Sequence, residues 1–89
     1  MKSRQIQLCN RLGLHARAAS KLVQTAAEFE SDIRIRNGHR QVNAKSIMGI
    51  LMLAATCGTE LELEAEGPDE DAAIQALTDL IDNRFGEEQ

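Results

Sequence analysis

Residues 60–66 read Glu-Leu-Glu-Leu-Glu-Ala-Glu, seven positions in strict alternation between a carboxylate and an apolar side chain. Successive side chains of a strand point to opposite faces, so this segment presents one wet face and one buried face. Upstream, Ile47-Met48-Gly49-Ile50-Leu51-Met52-Leu53 follows directly on Ser46. The serine hydroxyl can cap the first free N–H groups of a helix there. That helix is apolar nearly all round, so some of its large side chains are expected to face solvent or a partner. Downstream, Gly67-Pro68 interrupts the strand and Asp69 can cap. Ala73, Leu77, Leu80 and Ile81 then give a last amphipathic helix closing near Gly86. The terminal Glu87-Glu88-Gln89 is expected to fray.

The first half completes the pattern. Residues 4–9 alternate, with Ile6 and Leu8 on one face and Gln5 and Gln7 on the other, which predicts the first strand. Gly13 breaks that run. From Ala16, apolar residues recur at Ala19, Leu22, Val23 and Ala26, a helical stripe that Phe29 extends. Ile33 and Ile35 alternate with Asp32, Arg34 and Arg36, and Asn37-Gly38 suits a tight type I′ turn. Residues 39–42 return as the partner strand, a hairpin over 32–43. The order β-α-β-β-α-β-α requires a crossover through the first helix. With the fourth strand inserted antiparallel between the first two, the sheet order is 1-4-2-3. The expected fold is an open-faced two-layer α/β (α+β) sandwich, with three helices on one face of a four-stranded antiparallel sheet, as a single domain over residues 1–89.

Composition narrows the function. Of 89 residues, 43% are hydrophobic and 27% charged, which is ordinary for a globular domain. The net charge of −4 hides an asymmetry. Residues 1–46 hold nine Lys or Arg against three Asp or Glu, whereas residues 47–89 hold one against eleven. The acidic total and the two aromatic residues, Phe29 and Phe85, argue against nucleic-acid binding, which needs a clustered basic surface and stacking rings. The longest apolar stretch, 47–55, falls far short of the ~20 residues that cross a bilayer. No secretory signal pattern opens the chain. A cytoplasmic monomer without membrane insertion is expected. Cys9 and Cys57 are read as buried small apolar groups, with no disulfide. Neither they nor His15 and His39 have metal-ligand spacing, and His39 is read as a solvated loop residue. No cofactor is expected. The acidic alternation of 60–66 is read as a solvated sheet face. No Ser-His-Asp, Cys-His, Walker or dinucleotide pattern occurs.

One residue stands in a chemically useful place. His15 lies between the Gly13-Leu14 break and the first turn of the first helix, beside the unpaired N–H groups of Ala16, Arg17 and Ala18. A helix N-terminus carries roughly half a positive charge and favours an anion. An imidazole beside such a site is a nucleophile for a phosphoryl group. The Arg17 guanidinium matches phosphate oxygens.

The run Asn10-Arg11-Leu12-Gly13-Leu14-His15-Ala16-Arg17-Ala18-Ala19 resembles the phosphorylation site of the HPr family, the histidine-containing phosphocarriers of the bacterial phosphoenolpyruvate:sugar phosphotransferase system. Lys45-Ser46-Ile47-Met48-Gly49 is similar to the family's second signature, around a regulatory serine. The family usually has proline immediately after the arginine, where this chain has Ala18. A proline is preorganised for a helix's first turn, and Ala18 leaves that turn looser. The resemblance implies that His15 accepts a phosphoryl group from phosphorylated enzyme I and passes it to an enzyme IIA-type acceptor, as a protein substrate more than an enzyme. It further implies that Ser46 is phosphorylated by an HPr kinase/phosphorylase. Phosphate ligands would be Arg17 and the backbone N–H groups of Ala16, Arg17 and Ala18. Leu14, Lys21, Lys45, Ile47, Met48 and Leu51 would dock partners. The alternative is a regulatory module in an incomplete or nitrogen-related relay that transports no sugar. Arg34 and Arg36 are expected to neutralise the acidic row across strands, leaving Arg11, Arg17, Lys21 and Lys45 as a basic patch around His15 and the start of the second helix.

Overall fold

The computed structural model describes residues 1–86; the expectation for Glu87-Glu88-Gln89 lies outside the described residues. In chain order the elements are β1 (Lys2–Gln7), α1 (Ala16–Ala26), β2 (Asp32–Asn37), β3 (Arg40–Asn43), α2 (Ile47–Met52), β4 (Glu60–Glu66) and α3 (Glu70–Asp82). A 3₁₀ turn, Arg84–Gly86, follows. The strands form one antiparallel sheet in the order β1-β4-β2-β3. α3 packs over β1 and β4 and against α1, and α2 lies against α1 and β3.

β4 does what its alternation dictates. Leu61, Leu63 and Ala65 are buried, at 2% exposure or less. They join Ile6 of β1, Ile33 and Ile35 of β2, and Leu22, Leu77 and Ile81 of the helices in one core. Each such side chain gains about 1.5–3 kcal/mol from leaving water. On the wet face the register sets Arg34 opposite Glu64 and Arg36 opposite Glu62. Arg36 pairs with Glu62, its Nη1 lies 3.7 Å from Glu64, and Arg34 Nη2 lies 4.0 Å from Glu64. Such half-solvated pairs contribute tenths of a kcal/mol each. The neutralisation is partial, because Glu66 faces Asp32 and Glu60 faces Gln7.

Several local expectations need correction. β1 spans Lys2–Gln7 rather than 4–9. Lys2 and Ser3 already pair with β4, and beyond Gln7 only Leu8 stays attached: its N–H donates to the Thr59 carbonyl and its carbonyl accepts from Gly58. α1 ends at Ala26, so Phe29 packs against the core from the loop beyond it. The hairpin loop is Gly38-His39, not Asn37-Gly38, since Asn37 pairs with Arg40. Only Gly38 has positive φ, +63°, which is the pattern of a II′ turn rather than I′. Asp69 does stand at the N-cap of α3, but its carboxylate makes no capping bond. It accepts instead from the Glu30 N–H, the Ser31 N–H and the buried Ser31 hydroxyl, clamping the α1–β2 loop to the β4–α3 loop. The cysteines are free, but Cys57 is exposed in the turn before Gly58, and Cys9 is half-buried with Sγ 3.3 Å from the Ile81 carbonyl.

Two expectations about stability follow. Ala54, exposed just past α2, has φ +52°, a conformation that costs a residue with a β-carbon ~1 kcal/mol. Ala54→Gly should therefore raise stability by roughly 0.5–1 kcal/mol, read as a higher urea midpoint at unchanged slope. The Ser31 hydroxyl, with the Glu30 and Ser31 N–H groups, holds the Asp69 carboxyl below its ordinary 3.8. The carboxylate's contribution is then complete above 3.8 and lost as pH falls through the lower folded value. Asp69→Asn should be less stable than the parent at neutral pH, with the gap closing in that acid range.

Candidate functional site

The site is built where the end of β1 crosses the loop between α2 and β4. Gly13 has φ +66°, and a β-carbon there would lie 2.5 Å from the Ala55 carbonyl oxygen and 2.8 Å from Thr56 Cα. Only glycine can make this approach. The Leu14 N–H donates to the Ala55 carbonyl at 3.0 Å. Asn10, fully buried, closes the loop from inside: its side-chain amide donates to the Gly13 carbonyl at 2.7 Å, and its own carbonyl accepts the Gly13 N–H at 3.1 Å. This asparagine was visible in the sequence motif but carried no assigned role there; a polar residue at the end of an apolar alternation was its one signal.

His15 emerges as the N-cap of α1, in extended conformation at φ −87° and ψ 179°. Its carbonyl accepts the Ala19 N–H at 2.8 Å, the first bond of the helix. The N–H groups of Ala16, Arg17 and Ala18 precede that bond and have no intrahelical acceptor. The His15 side chain does not cap them. The ring is half-buried and Arg17, in the first turn, is exposed. Ala18 is buried against the core at 1% exposure. An imidazole, three backbone donors and a guanidinium thus share one helix end, an arrangement suited to a tetrahedral anion attached to the ring. No group of three His, Cys, Asp or Glu side chains that could hold a metal occurs among the described residues.

The second candidate, Ser46, is the N-cap of α2, as expected. Its Oγ accepts the Gly49 N–H at 3.1 Å and its carbonyl the Ile50 N–H at 3.0 Å. Its neighbour Lys45 reaches the Phe29 carbonyl, beyond the far end of α1, at 2.8 Å. The start of α2 therefore lies at the end of α1 opposite His15, and α2 runs back so that residues 55–56 meet Gly13. The basic patch is accordingly divided. Lys45 is tethered at the far end, and Lys21 donates to the Phe85 carbonyl at 2.6 Å. Leu14 is buried at 5% exposure and cannot dock a partner; Leu51 is half-buried on the core. Ile47 and Met48 are exposed, as expected of a helix apolar on too many sides, and Leu12 and Met52 join them at 64% and 57%. Leu12 escaped the sequence reading because a leucine between two loop residues looks like core. Among the described residues no helix is long and apolar enough to cross a membrane.

Residues 2–83 match the family model described as the PTS HPr component phosphorylation site. The chain is 52% identical over 87 residues to the phosphocarrier protein HPr of Neisseria meningitidis, covering 98% of both. It is 45% identical over 84 residues to the phosphocarrier protein NPr of Shewanella violacea, covering 94% of this chain and 92% of that one. Its structure superposes on crystalline HPr from Thermoanaerobacter tengcongensis with a TM-score of 0.97, 50% identity and full coverage of both chains.

The Ser46 cap has a measurable weight. Ser46→Ala removes the acceptor of the Gly49 N–H and should lower stability by ~1 kcal/mol, seen in urea denaturation as a lower midpoint at unchanged slope.

Proposed function

The chain belongs to the HPr family of phosphocarriers of the phosphotransferase system, and from that premise we propose that His15 is its phosphoryl acceptor, loaded by phosphorylated enzyme I and unloaded to an enzyme IIA-type protein. The observation that supports this most is the position of His15 at the N-cap of α1, beside the first-turn N–H groups of Ala16, Arg17 and Ala18. In loading, a ring nitrogen lone pair attacks phosphorus, the new N–P bond forms as the bond to the donor breaks, and the phosphoryl oxygens turn toward the N–H groups of Ala16, Arg17 and Ala18. Exposed Arg17 adds a guanidinium that can follow the group in either direction. The open surface suits a carrier: donor and acceptor must both reach phosphorus, and a site that gripped the phosphate too firmly would not release it.

In this reading Ile47, Met48, Leu12 and Met52 give partners an apolar foothold and exposed Arg17 adds a cation, matching an acidic protein surface. Ser46 is the regulatory position. A phosphate there adds about −1.5 to −2 charges next to Ile47 and Met48, where it repels an acidic partner from the docking face. HPr kinase/phosphorylase is the class of enzyme that would place it. The NPr relative favours a second reading, a regulatory relay that moves no sugar through the same residues. Transfer from the loaded chain to a sugar-specific enzyme IIA separates the two.

Incubation with enzyme I and labelled phosphoenolpyruvate should give an acid-labile, base-stable phosphoprotein, and His15→Ala should abolish the label; equal labelling of that variant would overturn the assignment. Ser46→Asp should slow loading by at least tenfold through a raised KM. A rate equal to the parent's would remove the regulatory role and leave the carrier role standing.

A further inference from the structure

We propose that Asn10 is a positioning residue for phosphoryl transfer: its buried side-chain amide holds the Gly13 carbonyl, and through it the main chain of His15. This rests on the reading of His15 as acceptor. The Gly13 carbonyl oxygen receives two donors, the Asn10 amide at 2.7 Å and the His15 N–H at 3.0 Å. One oxygen atom therefore links a side chain with no exposure to the backbone of the reacting residue. The second bond folds the chain tightly between Gly13 and His15, and so helps set the extended φ and ψ that put the ring outside the first turn.

The peptide group that carries this oxygen is anchored at both of its ends, and Asn10 supplies the side-chain anchor. The Leu14 N–H is fixed on the Ala55 carbonyl, and Gly13 is wedged against Ala55 and Thr56. Both restrain the loop from the α2–β4 side. The orientation of the Gly13 peptide carbonyl is held from the other side by the asparagine amide. Without it, that peptide is anchored to the rest of the fold only through its Leu14 N–H on Ala55 and can tilt about that bond, carrying the His15 N–H along and displacing the ring relative to the N–H groups of Ala16, Arg17 and Ala18. Displacements of about 1 Å at a reacting group can cost on the order of 100-fold in rate. Of the four docking side chains, Ile47, Met48 and Met52 are carried by α2 and do not depend on this loop carbonyl; Leu12 alone sits in the loop. Affinity for a partner should survive while the chemical step suffers.

Asn10→Asp is nearly isosteric but, when ionised, presents an acceptor to an acceptor; Asn10→Ala removes the donor. With either chain as the substrate of phosphorylated enzyme I, kcat should fall at least tenfold with KM within twofold of the parent, in protein whose circular dichroism shows it folded. Acidification that protonates the introduced carboxyl of Asn10→Asp restores a donor and should recover part of the lost rate relative to the parent at the same pH. An unchanged kcat, a loss confined to KM, or a loss that merely follows the folded fraction would overturn the proposal. If both variants unfold, the unaltered protein decides: the Asn10 side-chain amide and the His15 N–H should stay protected from solvent exchange in both free and phosphorylated forms, and loss of that protection on loading would overturn it. A parent chain that takes no label overturns the His15 reading and this one together; a labelled parent with unaffected variants overturns this one alone.

Discussion

The close passage of residues 8–14 along residues 55–59 is the constraint on which the rest hangs. Four contacts make it: Gly58 donates to the Leu8 carbonyl, Leu8 donates to Thr59, Leu14 donates to Ala55, and Gly13 lies against Ala55 and Thr56 with no room for a β-carbon. These few atoms join the exit of β1, the entry of α1, the exit of α2 and the approach to β4. They extend the β1–β4 pairing past its last ladder residue and decide the direction in which α1 leaves the sheet. The His15 end of α1 is therefore positioned by backbone contacts rather than by long side chains. Backbone bonds lose little side-chain entropy when they form, so a small domain can hold one helix end firmly without enclosing it.

Charge serves two separate ends. On the sheet face, Arg34 and Arg36 lie among Glu62 and Glu64, and the pairs largely cancel. On the helix side, the lysines act as struts: Lys21 ties α1 to the Phe85 turn and Lys45 ties the start of α2 to the exit of α1. Arg40 and Asn37 of the hairpin likewise donate to the last carbonyls of α2, at Met52 and Leu53. A helix of six residues is too short to persist by its own propensity. It stands here because its first N–H groups meet Ser46 and its last carbonyls meet the hairpin.

The sheet order was legible from the alternation of residues 60–66 and the hairpin at Ile33–Ile35, because period-2 burial admits few arrangements. His15 and Ser46 were legible because a cap is a local event, written in the residue and its immediate neighbours. The errors have a common origin in contacts between distant segments. Leu14 was read as a docking residue, yet its side chain turns into the core because its N–H is claimed by Ala55, 41 positions away. Asp69 had the composition of a cap, but Glu30 and Ser31 of another loop offered three donors in place of its own helix. Lys21 and Lys45 looked available because nothing local competes for an ammonium. Asn10 went unassigned because its partner, a backbone carbonyl, leaves no mark in sequence.

The separation of the two candidate phosphorylation sites restricts how one can influence the other. Lys45 Nζ is tethered to the Phe29 carbonyl and His15 caps the opposite end of α1, so Ser46 and the imidazole stand toward opposite ends of that eleven-residue helix. Salt screens charges over about 8 Å under physiological conditions, and a phosphate at Ser46 would act on His15 mostly through solvent. Direct repulsion of the incoming phosphoryl group is thus a weak term. Nor would the added charge reshape α1, since the only element Ser46 caps is α2. What lies within reach of a Ser46 phosphate is the exposed pair Ile47 and Met48. A partner that must cover this pair while reaching His15 spans the whole length of α1, and meets the added charge at the edge of its footprint. Regulation by this proposed route would be exclusion of the partner, with the geometry around His15 left intact.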